Sequence, residues 1–229
     1  MRIEKKYTFD LNNYNILVDQ IINSKFLFKK KYKKRIVNSI YLDNEFMQNY
    51  SDNLSGISKR SKIRLRYYNE DLEIKTNLNN KFNLEVKIKN NQVVNKKIHS
   101  LNLPSNILKK IDNKLIIFLL KKAPILIRPF ISEQTLSTIG ITYNREYFES
   151  KIFNLRCTID TNLKFWKPHN VDLLNNKKIF SYNTEYGVLE MKFPHNDKRL
   201  LNEKFNDLIN HITPSRHSKY SVGCNLIYK

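Results

Sequence analysis

The chain has 229 residues, 41% hydrophobic and 12% aromatic, a composition that supports one sizeable core and excludes extended disorder. Its 41 Lys and Arg against 21 Asp and Glu leave a formal net charge of +20, which points to a polyanionic partner: nucleic acid, an acidic membrane surface, or a phosphorylated molecule or polymer. Two cysteines, Cys157 and Cys224, make neither a disulfide framework nor a zinc set and fit a reducing, cytoplasmic location. No signal-peptide stretch opens the chain, and the longest apolar run, Leu115 to Leu120, is far too short to span a bilayer.

The chain opens with period-two alternation over 2–8, a strand. Asp10 then caps a helix over 11–24, where Leu11, Tyr14, Leu17, Ile21 and Ile22 recur at helical spacing. The basic run Lys29 to Arg35 reads either as a solvated turn or as an outer phosphate-collecting patch. Strands are predicted over 35–42, 61–69 and 82–89, with an exposed loop near 76–81 and a short β piece near 93–98. Ser105, after Pro104, opens a second helix through Lys121, and another short β piece is predicted near 125–131. Strands over 139–148 and 153–160, a polar loop at 172–178 and a strand over 186–193 follow. Asn196 opens a third helix striped with Leu200, Leu201, Phe205, Leu208 and Ile209. Strands of antiparallel type with a few helices predict an α+β protein on a large curved sheet or barrel, as a single domain over 1–229.

Each strand sorts its side chains onto two faces. Arg2, Glu4 and Lys6 share one face of the first strand; Lys62, Arg64 and Arg66 oppose Ile63 and Leu65 in the third; Glu85 and Lys87 oppose Leu84 and Val86 in the fourth. Tyr143, Arg145 and Tyr147 follow, then Arg156, Thr158 and Asp160, then Glu190 and Lys192 against Leu189, Met191 and Phe193. One reading makes these the solvated outer faces of a sheet. The other is a barrel turned inside out, with ions lining the lumen and helices covering the apolar faces, stable only if an anionic ligand, metal and water offset the like-charge repulsion. Six of the ten arginines (Arg2, Arg64, Arg66, Arg145, Arg156 and Arg216) fall in these segments or in the Arg216 to Tyr220 stretch.

Eight stretches in order carry a resemblance over nearly the whole chain. They are Arg2-Ile-Glu4-Lys-Lys6-Tyr7, Ser39-Ile-Tyr41-Leu-Asp43, Lys62-Ile-Arg64-Leu-Arg66-Tyr-Tyr68 and Leu84-Glu85-Val-Lys87, then Tyr143-Asn-Arg145-Glu-Tyr147, Arg156-Cys-Thr158-Ile-Asp160, Leu189-Glu190-Met-Lys192 and Arg216-His-Ser218-Lys219-Tyr220. They resemble the triphosphate tunnel metalloenzyme (CYTH-like) superfamily, most closely its vacuolar transporter chaperone (VTC) branch of polyphosphate polymerase domains. The resemblance implies an eight-stranded antiparallel β-barrel tunnel with helices packed outside. Lys6, Arg64, Arg66, Lys87, Arg145 and Lys219 are then the catalytic phosphate contacts, helped by Arg2, Lys62, Arg156, Lys192 and Arg216. Glu190, with Glu4 and Glu85, is expected to hold Mn²⁺ or Mg²⁺.

The activity this implies is transfer of the γ-phosphoryl of ATP to a growing polyphosphate. The rivals are a tripolyphosphatase or nucleoside triphosphatase of the same fold and a non-catalytic polyphosphate-binding module. Nucleic acid is disfavoured, because Tyr67 lies on the face opposite Arg64 and Arg66 rather than beside them. Relatives fused to membrane segments leave room for a membrane-associated partner protein. The five histidines, His99, His169, His195, His211 and His217, show no metal-ligand spacing, and Trp166 reads as packing.

Overall fold

Strand β1 (Arg2–Asp10) shows the pattern repeated through the fold: Tyr7 and Phe9 are buried, and Glu4 and Lys6 pair with each other on the opposite face. The structure is a computed structural model that describes residues 2–69, 81–91, 93–169, 171–175, 180–194 and 212–228. After β1, a 3₁₀ turn (Leu11–Asn13) and helix α1 (Tyr14–Ile22) lead to β2 (Lys29–Asp43), α2 (Gln48–Leu54), β3 (Lys59–Asn69), β4 (Lys81–Asn90) and β5 (Val93–Asn102). Helices α3 (Ser105–Lys109), α4 (Lys114–Lys122) and α5 (Arg128–Ser132) follow. The chain then forms β6 (Leu136–Ser150), β7 (Leu155–Trp166), β8 (Phe180–Asn183), β9 (Tyr186–Pro194), β10 (Thr213–Pro214) and a last helix, α6 (Lys219–Tyr228).

The residues group into two compact units. The first comprises 1–36, 143–163 and 183–218, with strand order β10-β1-β9-β7-β6-β2. Its core joins Tyr7, Phe9, Cys157, Ile159, Leu189 and Met191 from the strands with Leu17 and Ile21 of α1. The second comprises 37–142, 164–182 and 219–229, with order β6-β2-β3-β4-β5. Its core sets Ile63, Leu65, Leu84 and Val86 against Leu108, Leu115, Leu119 and Ile131 of α3, α4 and α5. In each unit, helices therefore cover the apolar side of the strands.

The α+β class and the antiparallel pairing match the expectation. The tunnel closure does not follow from the pairing. Among the described residues there are ten strands rather than eight, β8 and β10 being short additions, and the strand order ends at β10 and at β5 without a pair that joins them.

Several elements differ from the sequence reading for local reasons. The run Lys29 to Arg35 is neither turn nor loop but the outer half of β2; its exposed residues carry no alternation to announce a strand. The predicted helix 105–121 is two helices: Ile111 is buried, its amide donates to the Val171 carbonyl at 3.2 Å, and Asp112 accepts from the Lys114 amide at 2.9 Å, recapping the chain. Over 125–131 the chain makes a turn and then enters α5 instead of forming β; Pro129 suits a helix's first turn and has no N–H to give a ladder. Helix α2 starts because the Asp43 carboxylate, at the end of β2, accepts from the amides of Asn49 at 3.0 Å and Tyr50 at 3.1 Å. The helix expected from Asn196, and parts of the loops at 76–81 and 172–178, lie outside the described residues.

Candidate functional site: two ionic sheet faces

In the first unit the register sets side chains in rows. Lys6 lies opposite Glu190, and Glu190 opposite Thr158; two residues along, Glu4 lies opposite Lys192, and Lys192 opposite Arg156. Directly opposed residues share a face about 5 Å apart, so the predicted cations and carboxylates of three strands are neighbours here. The Lys192 ammonium is 2.7 Å from Glu190 Oε1 and 3.8 Å from Glu4 Oε2, and Lys6 Nζ is 3.0 Å from Glu4 Oε1. Lys6 also donates to the His217 carbonyl at 3.1 Å. Arg145 grips Asp160 at two points, Nε to Oδ1 at 2.5 Å and Nη2 to Oδ2 at 2.7 Å.

Burial would raise the Glu190 carboxyl, but Lys192, Lys6 and Arg145 outweigh it and hold the group well below the usual carboxylate range. Burial would likewise lower Arg145, and Asp160 and Tyr143 reverse the shift. Arg156 bonds Glu149 at 3.1 Å. Arg216 is exposed just after β10; Arg2 opens β1, and its side chain is outside what the structure describes.

In the second unit the register pairs Arg64 with Glu85 and Lys62 with Lys87, and Lys87 in turn with Lys96. Glu85 is buried and engaged by three cations: Arg64 Nη2 at 2.6 Å, Lys96 Nζ at 3.0 Å and Arg66 Nη1 at 3.8 Å. Burial pushes its carboxyl up, yet these charges bring it down to about 2. Arg64 also donates from Nη1 to the Tyr41 hydroxyl at 2.8 Å, and Arg66 from Nε to Ser39 Oγ at 3.3 Å. The Tyr41 phenol is pushed up by burial and brought below its ordinary value by Arg64, Arg66 and Lys219, the first residue of α6. Tyr41 stacks on Tyr220 at 5.0 Å between ring centroids, and the Tyr220 hydroxyl donates to Asp43.

The structure thus brings Lys6, Glu4, Glu190, Lys192, Arg156 and Arg145 onto one face of the first unit, and Arg64, Arg66, Lys62, Lys87 and Glu85 onto one face of the second, with Lys219 close enough to act on Tyr41. Among the described residues no three His, Cys, Asp or Glu gather into a metal-holding group. Sequence reasoning missed Glu149 and Lys96 as members of these faces and offered Lys31 only within the basic run Lys29 to Arg35, as a turn or an outer patch. Lys96 sits in a strand without clear alternation and Lys31 in a run of basic residues, so neither gave a facial signal. Both cysteines are free and buried, and among the described residues no helix is long and apolar enough to cross a membrane.

The family model of the VTC domain matches residues 1–228. The chain belongs to the VTC domain family. This VTC domain is also similar in fold to HpAC1 from Hippeastrum, described as a candidate adenylyl cyclase with a dominant triphosphatase activity: the TM-score is 0.55 at 13% identity, over 98% of this chain and 96% of that one. A protein of Vibrio parahaemolyticus, described as a candidate adenylate cyclase, aligns with a TM-score of 0.50 at 8% identity, over 100% of this chain and 98% of that one. No curated protein matches the VTC domain described here.

Proposed function

We propose that this VTC domain is a metal-dependent phosphotransferase that lengthens polyphosphate with the γ-phosphoryl group of ATP. The observation that carries the reading is burial on the ionic faces: Glu190 and Asp160 in the first unit, and Arg66 and Glu85 in the second, are all buried. Solvated outer faces keep their charges wet; here each buried carboxylate is outnumbered by cations, Lys192, Lys6 and Arg145 about Glu190 and Arg64, Arg66 and Lys96 about Glu85, and such a poorly solvated surplus of positive charge is stabilised by a bound polyanion. Family membership supports the same substrate class.

Lys6, Arg145, Lys192 and Arg156 neutralise phosphate oxygens in the first unit, and Arg64, Arg66, Lys87, Lys62 and Lys219 in the second, with Arg2 and Arg216 as helpers. Arg64 and Arg145 do so with fixed guanidinium forks, which suit tetrahedral oxyanions better than mobile ammoniums. Glu190 and Glu4 already share one cation, the Lys192 ammonium, so this pair of hard oxygen donors would hold Mg²⁺ or Mn²⁺. When bound, the ion supplies charge neutralisation at the bridging and leaving oxygens. Glu85, surrounded by three cations, serves instead to orient Arg64 and Arg66.

In the transfer, an oxygen of the terminal phosphate of the chain forms a bond to the γ-phosphorus of ATP. The bond from that phosphorus to the β,γ-bridging oxygen breaks, and ADP departs with the electron pair. No protein nucleophile takes part. Buried free thiols fit a cytoplasmic setting. Incubation with ATP and Mn²⁺ is expected to give ADP and a phosphate polymer in equal phosphoryl count; ADP without polymer, in a metal-replete preparation, refutes the polymerase. A second reading, hydrolysis of tripolyphosphate or a nucleoside triphosphate, is favoured by the likeness to HpAC1 and is read in the same assay as orthophosphate.

A further inference from the structure

The ionic face of the first unit continues past Arg145. On β6, Glu149 lies four residues beyond Arg145 on the same face, and its carboxylate is clamped from two sides: Lys31 Nζ of β2 is 2.5 Å from Oε2, and Arg156 Nε of β7 is 3.1 Å from Oε1. Arg35, four residues beyond Lys31, has its guanidinium 6.0 Å from the centroid of the Tyr147 ring, also on this face of β6. Arg156 in turn lies opposite Lys192, so a line of cations runs from the Glu190 pair outward to Lys31.

A carboxylate held by an ammonium and a guanidinium from two different strands occupies the place a phosphate oxygen would take, with the same charge sign and the same donors. Lys31 and Arg156 are each partly open, at 34% and 49% side-chain exposure, so a ligand can reach them by displacing Glu149. From Lys192, at the Glu190 pair, the line crosses Arg156 on β7 and Glu149 on β6 before it reaches Lys31 on β2, three strand spacings or about 14 Å along the sheet, farther than the two P–O–P links of a triphosphate reach.

Resting on the proposed phosphotransfer, we infer that Lys31 forms a distal subsite for the far phosphates of a linear polyphosphate that has already passed Arg156, with Glu149 as a built-in competitor that a long chain displaces from Lys31 and a short one does not. Glu149 thereby sets a preference by chain length.

The test is equilibrium binding of the full chain to tripolyphosphate, to polyphosphate of several tens of units and to single-stranded RNA of matched charge. Variants are Lys31→Gln, Glu149→Gln and, as a control for charge alone, the exposed Lys110→Gln, each checked by thermal melting. Lys31→Gln is expected to weaken long-chain binding roughly 2- to 5-fold and Glu149→Gln to tighten it by a similar factor, with tripolyphosphate binding unchanged in Lys31→Gln and tightened less than long-chain binding in Glu149→Gln. Equal long-chain affinity across wild type and variants, a loss in Lys110→Gln matching that in Lys31→Gln, or tighter binding of RNA overturns the subsite. If tripolyphosphate is still bound and transferred, the proposed function survives that result; if wild type binds neither phosphate ligand, both readings fall together.

Discussion

Arg145 and Asp160 meet through two parallel contacts, Nε to Oδ1 and Nη2 to Oδ2, with Asp160 fully buried. The pair fixes the guanidinium plane on the ionic face. Asp160→Asn leaves that guanidinium without its counter-charge and is expected to cost about 3–5 kcal/mol of stability. Urea unfolding measures the loss. Added tripolyphosphate should restore more stability to the variant than to wild type, because it supplies the missing negative charge.

Glu85 makes a pH-dependent contribution. Its folded carboxyl titrates at about 2, below the ordinary 4.5, so its stabilisation is present at and above the unfolded value and is lost as pH falls from 4.5 through 2. Wild type should therefore lose stability over that window, on the order of 3 kcal/mol, while Glu85→Gln starts lower at neutral pH and changes less. Parallel pH curves for the two proteins contradict the ion-pair account.

Glu190→Gln keeps the shape of the side chain and removes its charge. Phosphoryl transfer is expected to fall about 100-fold or more. Tripolyphosphate binding without metal should hold or tighten, since a repelling carboxylate beside Lys192 and Lys6 is gone. Loss of binding together with activity argues for a structural role alone.

Tyr41→Phe deletes the acceptor of Arg64 Nη1 and leaves the ring stacked on Tyr220. A stability loss of about 1 kcal/mol and weaker tripolyphosphate binding are expected, the first by thermal melting and the second by calorimetry.

Gly140→Ala tests packing in the second unit. A methyl group there would lie 2.1 Å from the Trp166 ring, whose Nε1 donates to Thr142 Oγ1 at 3.2 Å. Backbone and ring cannot both keep their places, so a loss of about 1–3 kcal/mol with a shifted tryptophan emission is expected.

Much of the site was legible along the chain because a strand's period of two is local. The rows Glu4-Lys6, Lys62-Arg64-Arg66, Glu85-Lys87 and Glu190-Lys192 each follow from alternation within a few residues. The basic half of β2 and the whole of α6 were not legible, since neither carries a facial pattern of its own and both are defined by what they lie against. The break between α3 and α4 is likewise set by Val171, some sixty residues on from Ile111.

Alternation and composition by themselves determined which side chains share a face, that the class is α+β, and that the chain carries a large surplus of positive charge. Register decided the rest. Whether Glu190 meets Lys6, Glu85 meets Arg64 or Glu149 meets Lys31 depends on hydrogen-bonded alignment between strands far apart in the chain. A slip of one residue would turn every partner to the opposite face, and no single strand contains the information that forbids it.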